Sequence, residues 1–382
     1  MPSLDARNAR DGVSFAAMPA SISRCLAVVA VVACVPGVTP CGAQPAPSSA
    51  LPVVWVLATG GTISGKGPSS TSLADYTAGA LLGEELVKAV PEIAQVARVK
   101  VEQVANVSST DITIANWLTL AQRINAIFAS EPATAGVVIT HGTNTLEETA
   151  YFLNLTVKHE RPVVLVGSMR PASAISADGP LNLLNAVRTA ASPEARGKGV
   201  LVVLNDAINA ARDVTKTNTY RVETFRSPEL GVLGYVDADA VTFYRASLKR
   251  HTTRSEFDVT GLTSLPPVDI LYSYVQPSTV LAQALVAGGV RGIVIAGTGA
   301  GLMSTAEREA LKPFVALPGG TRPVLVRSNR TGNGRVIPQK DYDAMGMVPA
   351  DNLNPQKARV LLMLALTKTG DRAQIARMFA EY

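Results

Sequence analysis

Apolar, β-branched runs alternate with amphipathic stretches over the first half of the sequence, and this alternation restricts the chain to few folds. The runs are Val53–Ala58, Val99–Val104, Gly136–Ile139, Val163–Val166 and Val200–Leu204. Helical periodicity falls between them, over Ala80–Val90, Ile112–Ala129, Leu146–Val157 and Pro180–Ala191. Runs as continuously apolar as Val163–Val166 suit strands covered on both faces, and strands alternating with helices imply a doubly wound, mostly parallel sheet. Between Tyr235 and Thr263 the pattern weakens and Arg245, Lys249, Arg250 and Arg254 cluster. A second α/β unit begins at Pro266, with strands expected over Asp269–Tyr274, Gly292–Ala296 and Pro323–Arg327 and a helix over Ala358–Thr367. The expected organisation is a leader over 1–50, a larger N-terminal α/β domain over 51–245, a linker over 246–265 and a smaller C-terminal α/β domain over 266–382.

The leader differs in kind from the rest. Arg24 precedes the apolar stretch Cys25–Cys34, which is too short to span a bilayer as a helix, and small residues continue to Ala43. That is the pattern of a secretory signal, with Met18 as an alternative start to Met1 and a Pro/Ser/Ala-rich lead-in after Gln44. Val31-Val32-Ala33-Cys34 also reads as a lipidation box anchoring Cys34, but cleavage near Ala43 ranks higher because short apolar runs ending in cysteine arise often by chance. All three cysteines (Cys25, Cys34 and Cys41) lie there, so a form cleaved after Ala43 has no disulfide or thiolate metal site. The three histidines, His141, His159 and His251, have no ligand spacing, so a metal enzyme is not expected. The net charge of +5 is scattered rather than gathered with aromatics, which gives nucleic-acid binding little support.

Chemistry concentrates where strands end. Thr59-Gly60-Gly61-Thr62-Ile63 follows the first run and Thr140-His141-Gly142-Thr143-Asn144-Thr145 the third, at the sheet edge where open α/β folds bind ligands. Gly60 to Lys66 nearly spells a phosphate loop, but Gly67 stands where a Ser or Thr must hold magnesium; Gly297-Thr298-Gly299-Ala300-Gly301 likewise lacks the dinucleotide spacing. Both read as tight turns. Thr145 and Glu148 have the spacing of a capping box for the following helix. A lone threonine in a glycine turn is ordinarily a turn residue. Here Thr62, Ser108-Ser109-Thr110, Thr143-Asn144, Ser168, and Asp213 with Lys216 all fall at expected strand ends. A threonine nucleophile needs a neighbour to take its proton, and Lys216 and Tyr76 are the available partners. The glycine-rich stretch up to Tyr76 and Gly79 reads as a lid bringing Tyr76 to Thr62, with a plain exposed loop as the alternative.

Six segments then carry a resemblance: Ala58–Ile63, Ile139–Thr143, Glu147–Leu153, Ser176–Pro180, Asp213–Asn218 and Leu353–Arg359. In order and content they resemble bacterial type II L-asparaginase, over Leu51–Tyr382. The resemblance implies cofactor-free hydrolysis of asparagine, often with some glutamine, by a periplasmic homotetramer with sites between the subunits of a dimer. It also implies that Thr62 is the nucleophile, that Tyr76 is its lid partner, and that Thr143 and Lys216 form a second catalytic group. The Thr143 N–H is an expected oxyanion donor, and Ser109 would hold the substrate's α-carboxylate, with Gly61, Gly142, Thr110, Asn144 and Gln276 completing the substrate-binding set.

The departures fall on recognition of the α-ammonium. Asn144 stands where the family has aspartate, Thr110 where it has glutamine and Gln276 where it has asparagine. Asp341 is the candidate to replace a glutamate that the family supplies from a neighbouring subunit. Three readings stand: an asparaginase that tolerates Asn144, an amidohydrolase whose substrate has no free α-ammonium, and a non-catalytic binder of small amides. Thr62, Tyr76, Thr143 and Lys216 together favour the first two over the third.

Overall fold

The computed structural model describes residues 50–318 and 322–382. The secretory leader, its cleavage near Ala43 and the Cys34 anchor lie outside the described residues. The chain builds two α/β domains. The N-terminal one contains β1 (Val53–Gly60), β2 (Arg98–Val107), β3 (Thr134–Thr140), β4 (Val163–Val166), β5 (Val200–Leu204), β6 (Ala207–Ala210), the hairpin β7 (Thr215–Lys216) and β8 (Phe225–Arg226), then β9 (Gly234–Val236) and β10 (Val241–Phe243). Its helices are α1 (Gly83–Lys88), α2 (Ile93–Val96), α3 (Ile114–Ser130), α4 (Leu146–Thr156) and α5 (Gly179–Ala191). The C-terminal domain holds β11 (Val268–Tyr272), β12 (Gly292–Gly297), β13 (Val324–Asn329) and β14 (Val348–Pro349), with α6 (Val280–Ala287), α7 (Thr305–Val315), α8 (Lys340–Ala344), α9 (Pro355–Leu366) and α10 (Arg372–Glu381).

The main sheet has eight strands in the order β10-β9-β6-β5-β4-β3-β1-β2. Strands β2, β1, β3, β4 and β5 run parallel, and β6, β9 and β10 add an antiparallel edge. The four strands of the second sheet, in the order β11-β12-β13-β14, are all parallel. The short edge strands β9 and β10 fall where the sequence pattern weakens, because three-residue strands carry too little periodicity to register.

Strands β4 and β5 are apolar at every position because both sheet faces are covered. Val137 and Ile139 of β3 pack with α3 and α4, while Val138 packs with α1, α2 and α5 on the opposite face. Successive strand residues point to opposite faces, so a doubly covered strand has no face left open to solvent. The first of these clusters runs on into the second domain through α9 and α10, so a single continuous core joins the two sheets. The 246–265 stretch crosses between them with Phe257 and Val259 buried in that core. Among the described residues no helix is long and apolar enough to cross a membrane.

The capping box expected at α4 does not form. Thr145 is the N-cap residue, but its hydroxyl accepts no capping bond; it donates to the Ser109 carbonyl at 2.6 Å. Tying two sheet-edge loops together has taken the hydroxyl that local spacing assigned to the helix.

Candidate functional site

Three loops converge at the C-terminal edge of the parallel strands because two glycines let their backbones touch. Gly61, with φ of +86°, approaches Gly142 so closely that an added Cβ would lie 2.2 Å from the Gly142 Cα. A Cβ on Gly142 would in turn meet the Ser109 hydroxyl at 2.7 Å. Only glycine fits both the positive φ and the contact. The Ser109 hydroxyl accepts the Asn144 N–H at 3.1 Å, which locks the β2 and β3 loops together.

On this frame two polar pairs face an open cleft of about 690 Å³. The Thr62 and Tyr76 hydroxyls lie 2.7 Å apart. The Lys216 ammonium donates to the Thr143 hydroxyl at 2.8 Å and to Asn144 Oδ1 at 3.1 Å. Thr62 and Thr143 are both buried residues, so neither is a freely solvated alcohol. Burial holds the Lys216 ammonium below the usual lysine range, because taking a cation from water disfavours its charged form.

The segment expected to be a lid lies over the site. Lys66 and Thr77 pair in an antiparallel bridge, Ile175 N–H donates to the Ser70 carbonyl at 2.8 Å, and Gly67 N–H to the Ser173 hydroxyl at 2.8 Å. Leu73, Ala74 and Tyr76 form one wall of the cleft.

Other expected site residues are placed elsewhere. Gly61, Gly142 and Ser109 sit behind the cleft, packed on one another. The Thr110 hydroxyl turns back to Ser108 at 2.9 Å. Ser168 is fully buried and donates to the Arg170 carbonyl, and Asp213 pairs with Arg212 at 3.2 Å instead of joining Lys216. Gln276 is exposed in the loop between β11 and α6, with φ of +55°, and Asp341 lies in the first turn of α8. Neither lines the cleft of its own chain. The sequence reading missed Met169 and Thr217–Tyr220, which line the opposite wall. The polar run after Lys216 was the available clue, and Asn218 shapes that wall by accepting the Tyr220 and Arg221 N–H groups.

His141, although inside a catalytic-looking loop, is fully buried. Trp117 Nε1–H donates to the Thr149 hydroxyl at 2.8 Å, and that hydroxyl lies 2.9 Å from His141 Nε2. His141 Nδ1 lies 2.7 Å from the Gly142 carbonyl, which requires Nδ1 to be the protonated nitrogen and Nε2 the acceptor. Burial holds His141 at about 4, and burial with Arg254 nearby holds His251 at about 4. Both are therefore neutral in the folded chain while the unfolded imidazoles take a proton near 6.5. Between pH 6.5 and 4 the unfolded chain binds more protons, so stability falls as pH drops, by about 3 kcal/mol per histidine at full expression. Denaturant midpoints at pH 7, 6 and 5 should fall steadily, and His251→Gln should flatten the decline; an equal decline in that variant would remove His251 as a cause.

Among the described residues no three His, Cys, Asp or Glu side chains gather as a metal site. The cleft holds a buried hydroxyl beside a phenol and a second hydroxyl beside an amine whose pKa is lowered, groups of the kind acyl transfer uses.

Comparison with known proteins identifies the family. Residues 53–249 match the N-terminal asparaginase family, and residues 267–379 match the glutaminase/asparaginase C-terminal domain. The chain is similar to L-asparaginase 2 of Bacillus subtilis, at 52% identity over 332 residues covering 87% of each protein. It is similar to L-asparaginase 2 of Escherichia coli at 48% identity over 335 residues, covering 87% of this chain and 94% of that protein. The crystal structure of a probable cytoplasmic L-asparaginase from Campylobacter jejuni superposes with a TM-score of 0.83 at 48% identity, over 87% of this chain and all of that one. The fold and both halves of the sequence point the same way: this chain belongs to the asparaginase family.

Proposed function

We propose that the chain is an exported L-asparaginase, hydrolysing the side-chain amide of asparagine to aspartate and ammonia through an ester on Thr62. The observation that carries this reading is the pair of contacts in one cleft, Thr62 with Tyr76 and Thr143 with Lys216. The Thr62 oxygen adds to the amide carbon while its proton passes through the Tyr76 hydroxyl to the departing nitrogen, and the C–N bond breaks to release ammonia. Water, giving up a proton through Thr143 to Lys216, then cleaves the ester and restores Thr62. The Thr143 N–H is the assigned donor to the oxyanion. Kinship with L-asparaginases supports the substrate. The leader pattern supports export, and the resemblance supports a homotetramer in which a neighbouring copy closes the cleft.

A specific observation favours a second reading, in which the substrate has no free α-ammonium. Among the described residues no Asp or Glu lines the cleft, and the Asn144 carbonyl is already engaged by Lys216. A neutral acceptor binds an ammonium about half as strongly as a carboxylate does. Ammonia release from asparagine, glutamine and an N-acylated asparagine separates the readings. Turnover of asparagine supports the first, turnover of the acylated amide alone supports the second, and binding without turnover would leave a non-catalytic binder. Asn144→Asp should lower the asparagine KM by roughly tenfold, the equivalent of about 1.4 kcal/mol. An unchanged or higher KM would contradict this account of position 144.

A further inference from the structure

Lys357 lies in the first turn of α9, in the C-terminal domain, and its side chain is fully buried. A buried lysine is rarely retained without a demanding set of partners. Its ammonium donates to the Arg212 carbonyl at 2.8 Å and to the Val214 carbonyl, and lies 4.0 Å from Glu147 Oε2. Those partners belong to the two segments that carry the second catalytic pair. Val214 stands two residues before Lys216, and Glu147 stands four residues after Thr143 in the first turn of α4. Glu147 is itself held by Gln356 at 2.8 Å and Asn354 at 3.5 Å, both from the start of α9. One helix of the second domain thus grips both segments, and the Lys216–Thr143 hydrogen bond spans them at 2.8 Å.

We propose that Lys357 is a positioning residue for hydrolysis: by tying the Arg212–Val214 backbone to Glu147, it sets the separation of Lys216 and Thr143. This rests on the acyl-enzyme reading given above. Catalytic groups must be held to within a fraction of an ångström, and a displacement near 1 Å is worth roughly 100-fold in rate. Burial brings the Lys357 ammonium down to about 8, with Glu147 and Asp213 opposing the fall.

The test uses full-length Glu147→Gln/Lys357→Met, which removes both charges together and leaves no unpaired buried ion, beside Lys357→Met alone. In the folded double variant, kcat for asparagine should fall 10- to 100-fold with KM within threefold, because substrate contacts are untouched. A crystal structure of that variant should show Lys216 Nζ beyond hydrogen-bond reach of the Thr143 hydroxyl. An intact 2.8 Å contact, or kcat within twofold of wild type, would overturn the proposal. A wild-type protein inactive on the whole amide panel would instead refute the acyl-enzyme reading, and the crystallographic distance would still decide the role of Lys357. If Lys357→Met unfolds and the double variant folds with full activity, Lys357 serves stability alone and the proposal fails.

Discussion

Thr62→Ala is expected to reduce ammonia release from asparagine by at least ~1,000-fold, to the level left by binding and oxyanion donors alone. The reason is specific to this hydroxyl. Thr62 sits in a short 3₁₀ turn after β1, and its Oγ1 contacts the Tyr76 hydroxyl and points into the cleft. Alanine removes that hydroxyl and the γ-methyl but no structural hydrogen bond of the turn, since the Gly65 N–H to Thr62 carbonyl bond is backbone to backbone. The melting temperature should therefore change by no more than a few degrees. Rapidly quenched wild-type protein should carry the mass of an aspartyl ester, and the variant should carry none. A Thr62→Ala enzyme with more than a tenth of wild-type turnover would eliminate Thr62 as the nucleophile.

Lys216→Met is expected to lower kcat by roughly 100- to 10,000-fold, the range for loss of a positioned proton acceptor. Methionine keeps the stem and removes the amine that holds Thr143 and Asn144. Stability should hold, because burial already works against the lysine's charged form. Lys216→Arg should fail nearly as badly, since a guanidinium remains protonated at working pH and cannot accept a proton. In the wild type, kcat/KM should climb with pH at values below the ordinary lysine range, because a lowered pKa populates the neutral amine earlier. A kcat within tenfold of wild type in Lys216→Met, or the same pH limb in that variant, would remove Lys216 from the mechanism.

Much of the fold is legible in sequence because its strands are covered on both sides. Val163–Val166 and Val200–Leu204 have the same ends in the sequence pattern and in the structure, since a strand walled by helices stops where polar residues begin. The antiparallel edge formed by β9 and β10 was not legible, because edge strands half open to solvent need no such run. The C-terminal helices α6, α7, α8 and α10 were also missed; α6 is apolar almost throughout and α8 spans five residues, so neither offers a clear stripe.

The candidate site divides along the same line. The threonine loops and Lys216 were visible because their residue types are chemically unusual at strand ends. Adjacency groups Asp213 with Lys216, yet the Asp213 carboxylate pairs with Arg212. Spacing assigns the Thr145 hydroxyl to a helix cap, yet it donates to the Ser109 carbonyl 36 residues away. Local propensity yields there to a partner that only folding brings near.

The sequence by itself determined a parallel α/β scaffold and a set of hydroxyls at its strand ends, because periodicity and loop chemistry are local properties. The tertiary structure alone decided which of those groups meet. Lys216 reaches Thr143 across 73 residues, Tyr76 folds back on Thr62, and Lys357 spans 143 residues to hold Val214. Such contacts follow from glycine-permitted backbone approach and from one core shared by two domains, and neither is encoded in the spacing of the residues that touch.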